Sequence, residues 1–536
     1  MSTGFTRRTV GYGTSSPPLS GRYLTDDVLV KHSPEGELTF LEKCAPFVCE
    51  FLGTYMLAIT LGYVSAFGDS NWGPTAVGAV LMVLIYAVGP VSGGNLNPAV
   101  SLALGFVGKL PWTKVFAYII LQIGGAFLAA VTMYSLFGAT LVIQPNADFG
   151  PITAGFCEIF YTFLLCFVVL NCAASKRNNP TFDSNQFYAL AIGLVIIAGG
   201  YPSGPISGAI FNPALAIGYS IISLASGLLY IIFHIVGACF ASMMFKAVRP
   251  EDYHLDDEYA VSHYQPTDES KVLSEFIGTM VLVVTVGLNI LTHSAQTGWS
   301  AGAALACAIY SLGDVSGGHF NPAVSFAVWL CGRSKLPATA TFLYIIMQVM
   351  AATISGFVLS FIHDEGPYDN EVYGVHPKTG TDWVQVIISE LVFTFLLCWV
   401  VLSVGTTSQA YPGNAPPPKR NFYAALAIGL CVTIGGFAVG GVSGAVLNPA
   451  VALGLQVENV AELQSTNTTK NVIAIVNATI DTGVTIPVSI NVETYIPDST
   501  NFAWYTLIQL GGALIAAILF HSSHAHEFYA KNALPA

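Results

Sequence analysis

The chain contains twelve long apolar segments, most of them near the ~20 residues that a helix needs to cross a lipid bilayer. They lie near 45–66, 75–90, 113–137, 154–173, 186–201, 225–246, 272–292, 299–313, 339–362, 384–404, 421–439 and 503–520. Backbone inside lipid must satisfy its own hydrogen bonds, which helices do. Charged residues make up only 9% of the 536 residues, against about 25% in a typical soluble protein. The sequence therefore predicts an all-α membrane protein.

Positive charges alternate between the loops. Lys and Arg precede the first segment, separate the second from the third and the fourth from the fifth, and recur at the equivalent places of the second half. Loops 66–74 and 138–153 have none, and 363–383 has only Lys378. Because positive loops stay in the cytoplasm, both termini are expected there. No apolar h-region precedes Pro46, so we expect no cleavable signal peptide.

Spacing divides the chain into two units of six segments. We expect a cytoplasmic tail at 1–43, a first unit at 44–247, an acidic linker at 248–270, a second unit at 271–522 and a cytoplasmic tail at 523–536. The linker is expected to be a solvated connector, because it holds several acids: Glu251, Asp252, Asp256, Asp257 and Glu258.

An extracellular insertion is expected within the second unit, at 457–502. It is rich in Thr and Asn, and its alternating Val, Ile and Thr residues are compatible with a small hairpin. Asn467 and Asn477 each open an Asn-x-Thr glycosylation sequon. Their place on the expected outer face favours glycosylation.

One motif, Ser-Gly-x-x-x-Asn-Pro-Ala, occurs four times. The copies begin at Ser92, Ser207, Ser316 and Ser443. Their Asn-Pro-Ala residues are Asn97, Pro98 and Ala99; Asn212, Pro213 and Ala214; Asn321, Pro322 and Ala323; and Asn448, Pro449 and Ala450. An acid in an apolar segment precedes each copy: Glu50, Glu158, Glu275 and Glu390. Three segments separate equivalent elements within a pair, so the second copy is inverted relative to the first, as in many transport proteins.

The motif has the chemistry of a helix start at membrane depth. Asn is a favoured N-cap, Pro suits the first helical position, and Ala favours helix. Two inverted short helices would direct their partly positive N-termini at each other. That arrangement repels protons and other cations, while Asn amides can donate to the oxygen of a neutral solute.

These residues resemble the aquaporin, or major intrinsic protein, family. The resemblance covers about 40–247 and 270–525, and includes Glu-Phe-Leu-Gly-Thr at 50–54, Glu-Phe-Ile-Gly-Thr at 275–279, Ala-Ile-Gly-Leu at 191–194 and 427–430, Gln122 and Gln348. It implies two tandem channel units, each with six transmembrane helices and two half-helices. It also implies a structural role for the four glutamates, and a homodimer that forms a tetramer-like assembly with four pores.

The selectivity-filter positions depart from the usual family pattern. By ungapped spacing they are Val77, Gly200, Ala209 and Leu215 in the first unit, and Ala301, Gly436, Ala445 and Val451 in the second. The family's filter Arg falls at Leu215 and Val451. Small apolar side chains favour a wide constriction, although an apolar constriction can also dewet. Nearby aromatic residues are candidates to refill it: Tyr86, Tyr201, Tyr310 and Phe437.

The leading functional hypothesis is a passive channel for water and small uncharged solutes, among them glycerol, urea, ammonia or hydrogen peroxide. The alternative is a closed-pore structural or junctional membrane protein. Beyond the four glutamates, Asp314 is the only acid found near membrane depth, which argues against ion-coupled transport. His319 is expected to pack in the pore loop, and the ten cysteines are expected to be packing residues.

Several classes of site and partner are not indicated. The sequence has no nucleophile–base cluster and no metal-ligand cluster, so neither an enzyme nor a cofactor is expected. It has no basic stripe for nucleic acid. The expected partners are membrane lipid, small neutral solutes and a second copy of the chain, in the plasma membrane or an intracellular membrane.

Overall fold

The computed structural model describes residues 39–69, 71–138, 141–180, 184–220, 224–332, 336–364, 374–407, 422–465, 473–479, 485–491 and 500–524. Twelve long helices occupy the twelve predicted segments. They are α1 (Phe40–Phe67), α2 (Gly73–Ser92), α4 (Trp112–Phe137), α5 (Pro151–Val168, continued by a π-helix at Val169–Ala174), α6 (Tyr188–Ser207), α8 (Leu224–Val248), α11 (Asp268–Leu291), α12 (Thr297–Ser316), α14 (Ala338–Asp364), α15 (Trp383–Gly405), α16 (Ala424–Ser443) and α18 (Asn501–Ser523). The prediction of an all-α membrane architecture is confirmed.

Eleven of these helices are long and apolar enough to cross a membrane, counted over the described ranges. Helix α12 is not among them, because Gly, Ser and Thr dilute its apolar residues. Four shorter helices begin at the Asn-Pro-Ala motifs: α3 (Pro98–Phe106), α7 (Pro213–Tyr219), α13 (Pro322–Cys331) and α17 (Pro449–Ser465). Helix α17 continues past residue 457, where the insertion was expected to begin.

The remaining elements lie in the linker and the insertion. The linker contains α9 (Glu251–His254) and α10 (Glu258–His263), and the insertion contains β1 (Ile473–Thr479) and β2 (Thr485–Asn491). The two strands pair antiparallel, with Ile473 opposite Asn491, so the insertion holds a hairpin. Asn477 lies in β1. The sequon at Asn467 lies outside the described residues.

Glycines set the helix crossings inside each unit. Helix α12 crosses α16 where a Cβ on Gly302 would lie 2.6 Å from the carbonyl oxygen of Gly429. Helix α2 crosses α6 in the same way, at Gly78 and Gly193. Small residues allow such close backbone approach, which favours helix association in lipid. The two halves therefore share one internal packing scheme.

The two units pack against each other, with α6 of the first unit against α11 and α12 of the second. The Ser300 hydroxyl donates to the Ala198 carbonyl oxygen at 2.8 Å, and the Tyr161 hydroxyl donates to Thr285 Oγ1 at 3.1 Å. Buried polar groups need such partners in a low-dielectric interior. The interface is therefore joined by specific hydrogen bonds as well as by apolar contact.

The start of the linker is buried, which differs from the expected solvated connector. Arg249 is fully buried, and Glu251 and Asp252 are nearly so. The Arg249 guanidinium donates to both carboxylate oxygens of Asp314, at 2.9 and 2.7 Å, and to Asn171 Oδ1 at 2.5 Å. Burial raises the pKa of Glu251, although the nearby Arg249 charge opposes that rise. This cluster connects the linker to both units.

Replacing Arg249 with Met is expected to lower the free energy of unfolding by about 3 kcal/mol, because it removes one partner of a buried, bidentate ion pair. Thermal unfolding in detergent, followed by circular dichroism, measures the change. The double variant Arg249→Met with Asp314→Leu should recover part of the loss, since it also removes the carboxylate that would otherwise lose its two hydrogen bonds from Arg249. Equal stability of the wild type and Arg249→Met would contradict this role.

Candidate functional site

A buried glutamate supports each of the four motif loops. Glu275 Oε1 accepts from the Ser316 hydroxyl at 2.6 Å and from the His319 N–H at 3.0 Å. Its Oε2 accepts from the Phe320 N–H at 2.7 Å and from Gln348 Nε2 at 2.8 Å. One carboxylate thus satisfies four donors, two of which belong to non-helical backbone at membrane depth.

The same arrangement recurs at Glu50, Glu158 and Glu390. Each accepts from a motif serine and from the two backbone N–H groups before the motif asparagine. The fourth donor to Glu50 is Gln122, and to Glu390 it is Gln509. At Glu158 the partner is His234, at 2.7 Å. Each copy of the sequence motif therefore forms the same set of hydrogen bonds with its glutamate.

The residue before each motif asparagine has a left-handed backbone, with φ of 50° at Leu96, 49° at Phe211, 49° at Phe320 and 51° at Leu447. Such a conformation costs on the order of 1–3 kcal/mol for a non-glycine residue. Its N–H donates to the glutamate in each case. The carboxylate therefore stabilises a strained turn that aims the following asparagine.

Sequence reasoning missed a tyrosine in each half-unit. The hydroxyls of Tyr118, Tyr230, Tyr344 and Tyr505 donate to the carbonyl oxygens of the four motif serines, at 2.7–2.9 Å. Each tyrosine lies four residues before the Gln or His that contacts the glutamate, on the same helix face. That repeated Tyr-x-x-x-Gln/His spacing is the signal that could have revealed them.

The motif asparagines meet in pairs. Asn321 Oδ1 accepts from the Ala323 N–H at 2.9 Å, and its Nδ2 donates to the Leu447 carbonyl oxygen at 3.0 Å. Asn448 does the same with Ala450 and with the Phe320 carbonyl oxygen. Asn97 and Asn212 form the equivalent pair in the first unit. Since each amide has two hydrogens, one per asparagine remains for another acceptor.

A cavity of ≈ 330 Å³ lies inside the second unit. Asn321 and Asn448 both line it, and so do all four predicted filter positions of that unit: Ala301, Gly436, Ala445 and Val451. Its described lining includes no Asp or Glu. The space therefore joins the asparagine pair to the predicted filter without a negative charge.

The equivalent cavity of the first unit measures only ≈ 30 Å³. Asn97 and Asn212 line it, as do Val77, Ala209 and Leu215. Gly200 is not among its lining residues; a Cβ there would lie 2.7 Å from Pro74 Cβ. At about 15 Å³ for one water, this space holds about two waters.

Side-chain size contributes to the difference in volume between the two cavities. At equivalent distances from the motifs, the first unit has Val77 and Leu215 where the second has Ala301 and Val451. Further along the lining, Ile196 of the first unit corresponds to Val432 of the second. Each change adds carbon atoms to the first cavity. The second cavity also extends to polar residues whose counterparts do not line the first, among them Ser294, Thr297 and Lys378.

Of the four aromatic residues considered as candidates to refill the filter, Phe437 lines the second cavity. The hydroxyls of the others bond to loop backbone: Tyr86 to Gln186, Tyr201 to Asn71 and Tyr310 to Phe422. His319 lines the cavity, and its Nδ1 lies 3.1 Å from Ser325 Oγ. Two loop residues that sequence reasoning had not placed there, His376 and Lys378, also line this cavity.

The chain is similar to several known proteins. The family model described as "Major intrinsic protein" matches residues 37–245, 183–293 and 263–461. A "Probable aquaporin NIP-type" of Nicotiana alata is 33% identical over 38% of this chain and 78% of its own length. "Nodulin-26" of Glycine max is 31% identical over 44% of this chain and 87% of its own. The X-ray structure of the aquaglyceroporin from Plasmodium falciparum aligns with 39% of this chain and 98% of that chain, at 22% identity and a TM-score of 0.34.

Proposed function

Because the chain belongs to the major intrinsic protein family, whose members are membrane channels rather than enzymes, we propose that it passes water and small uncharged solutes through its second unit. The observation that carries the proposal is the ≈ 330 Å³ cavity, which joins both motif asparagines to four small filter residues. Glycerol, urea, ammonia and hydrogen peroxide are the solute classes that such a constriction favours. Transport would be passive.

Proton exclusion is part of the proposal. Helices α13 and α17 begin at Asn321 and Asn448, and each asparagine bonds to the loop that holds the other. The two N-termini therefore meet, and each carries roughly half a positive charge. A cation at that point is repelled from both sides. A neutral solute instead accepts the remaining amide hydrogens with its oxygen.

Stopped-flow light scattering on proteoliposomes tests the solute range. We expect rapid water and glycerol flux and a fall in permeability for polyols with longer chains, because small apolar residues set the width. Flux of water alone would mean that Phe437 or the loop residues narrow the path. Permeability equal to that of empty liposomes for every solute would reject the channel proposal and favour a closed structural protein.

We propose that the first unit conducts little and serves mainly a structural role, since its cavity is narrow and apolar and an apolar constriction can exclude water.

Replacing Val77 with Ala and Leu215 with Val in the first unit copies two predicted filter residues of the second unit. This double variant is expected to raise water permeability per chain by up to about twofold, by opening a second path of similar width. Matched stopped-flow traces at equal protein density provide the measurement, and an unchanged permeability would show that other residues close this unit.

A homodimer is proposed as the assembled form. Helices α5, α6 and α11 are 72–78% buried over their apolar windows because the other unit covers them, whereas α1, α2, α15 and α16 are only 28–39% buried. The exposed helices α1 and α2 are the counterparts of α11 and α12 in the second unit. The exposed helices α15 and α16 are the counterparts of α5 and α6 in the first unit. A second copy placing α1 and α2 against α15 and α16 repeats the internal contact and closes a ring of four units.

Two smaller features belong to the same proposal. With twelve crossings, both termini lie on one side, and the positive loops favour the cytoplasm. The insertion then lies outside the cell or inside an organelle, where glycosylation of Asn467 and Asn477 is possible. The four glutamates act as scaffold rather than as proton relays, since each of them has four hydrogen-bond partners in the motif loop and the neighbouring helix.

A further inference from the structure

A short loop segment occupies equivalent places above the two cavities. It reads Ile143-Gln144-Pro145-Asn146 in the first unit and Val375-His376-Pro377-Lys378 in the second. The Asn146 N–H donates to the Ile206 carbonyl oxygen at 3.0 Å, and the Lys378 N–H donates to the Val442 carbonyl oxygen at 3.0 Å. The two acceptors each precede a motif serine. Asn146 and Lys378 are therefore structural counterparts.

Lys378 lies at the filter end of the second cavity. It lines that cavity, and its Cε lies 3.8 Å from the place a Cβ on Gly444 would take, directly before the filter residue Ala445. No carboxylate among the described residues forms an ion pair with its ammonium group, and the described lining includes none. A positive charge is thus presented to the cavity.

The neighbouring groups are consistent with a charge held in partial enclosure. Loss of solvent lowers the pKa of the Lys378 ammonium. Desolvation also lowers the pKa of His376, and the Lys378 charge lowers it further, against the hydrogen bond to the Gly374 carbonyl oxygen. His376 and Lys378 both line the second cavity, so the two groups lie at the same mouth.

The filter position on the half-helix itself has no cation in either unit, since Leu215 and Val451 occupy it. We propose that Lys378 supplies the missing positive charge to the second unit from the loop, where it repels cations and donates to the oxygen of entering neutral solutes. This inference rests on the proposed channel function and names a residue that adds to the cation exclusion by the paired half-helices. The first unit has a neutral asparagine at the same place.

The expected size of the effect follows from Coulomb's law. We take a separation of about 6 Å between the Lys378 ammonium and an entering cation, and an effective dielectric constant of about 20. Their repulsion then lowers the population of the cation at that point by about 100-fold. Partial screening by salt in the mouth reduces this figure, so about 10-fold is the lower expectation. When Lys378 is replaced by a neutral residue, a neutral solute loses only one hydrogen-bond donor. Its permeability should therefore change by less than about threefold.

The test uses the full chain in proteoliposomes, with potassium efflux and glycerol permeability measured on the same preparation. The variants are Lys378→Met and Lys378→Gln, which remove the charge, Lys378→Arg, which keeps it, and Asn146→Met as the matched change in the first unit. We expect both neutral variants to raise potassium efflux between about 10-fold and 100-fold while glycerol permeability is kept. Lys378→Arg and Asn146→Met should match the wild type.

Three outcomes overturn the inference in different ways. If the neutral variants pass glycerol but show the same potassium efflux as the wild type, Lys378 does not exclude cations, and the channel proposal stands. If the wild type itself passes no glycerol, the channel proposal fails and the filter inference fails with it. A potassium leak in Asn146→Met as large as that in Lys378→Met would show a general loosening of the loops rather than a charge effect.

Discussion

Replacing Ala445 with Trp is expected to lower glycerol permeability about tenfold or more, to near the level of empty liposomes. Ala445 is one of the four predicted filter residues and lines the ≈ 330 Å³ cavity, so an indole ring there fills the path with apolar surface that also disfavours water. The residue already has φ of 50° with a Cβ in place, so the larger side chain adds no new backbone strain. Stopped-flow light scattering at equal protein density measures the loss.

The matched control is Ala209→Trp in the first unit, where the backbone has φ of 53°. Since that cavity measures only ≈ 30 Å³, we expect glycerol permeability to stay close to that of the wild type. An equal loss in both variants would mean that both units conduct. A loss in Ala209→Trp alone would reverse the assignment of the conducting unit.

Replacing Glu275 with Ala is expected to destabilise the protein by about 3–5 kcal/mol, the range observed when one partner of a buried charged network is removed. The change leaves donors from Ser316, His319, Phe320 and Gln348 without their acceptor. It also releases the left-handed turn before Asn321. Thermal unfolding in detergent, or the yield of folded protein, measures the effect.

Two variants separate this effect from a general loss of charge. Glu275→Gln keeps one accepting oxygen and should lose less stability than Glu275→Ala. Asp268→Ala removes an exposed acid from the first turn of the same helix, where the side chain is 79% exposed, and should change stability by less than about 0.5 kcal/mol. A Glu275→Ala protein as stable as Asp268→Ala would show that the glutamate does not support the motif loop.

Much of the fold could be predicted because it depends on local patterns. The twelve apolar segments determine the spanning helices, and the Asn-Pro-Ala motifs determine where the half-helices begin. The repeated glutamates could be found for the same reason, since they recur at similar intervals before each motif. Such features need only the periodicity and capping preferences of a single segment.

What escaped prediction depends on contacts between distant segments. The linker was expected to be solvated because it contains several acids. Its first residues are instead buried, and Asp314 of the second unit is the ion-pair partner of Arg249. Part of the difference in volume between the two cavities comes from a few methyl groups, as at Val77 and Ala301, and their effect depends on how the surrounding helices pack. Lys378 appeared in the sequence as the one cation of an outer loop, without a sign that the loop folds over the filter.

The most direct test of a channel for neutral solutes measures glycerol permeability and proton flux in the same proteoliposomes, using light scattering and an enclosed pH-sensitive dye. We expect glycerol flux well above that of empty liposomes, together with proton flux no greater than theirs. Absence of glycerol flux, or a proton flux that rises together with it, would rule out a channel that passes neutral solutes and excludes protons.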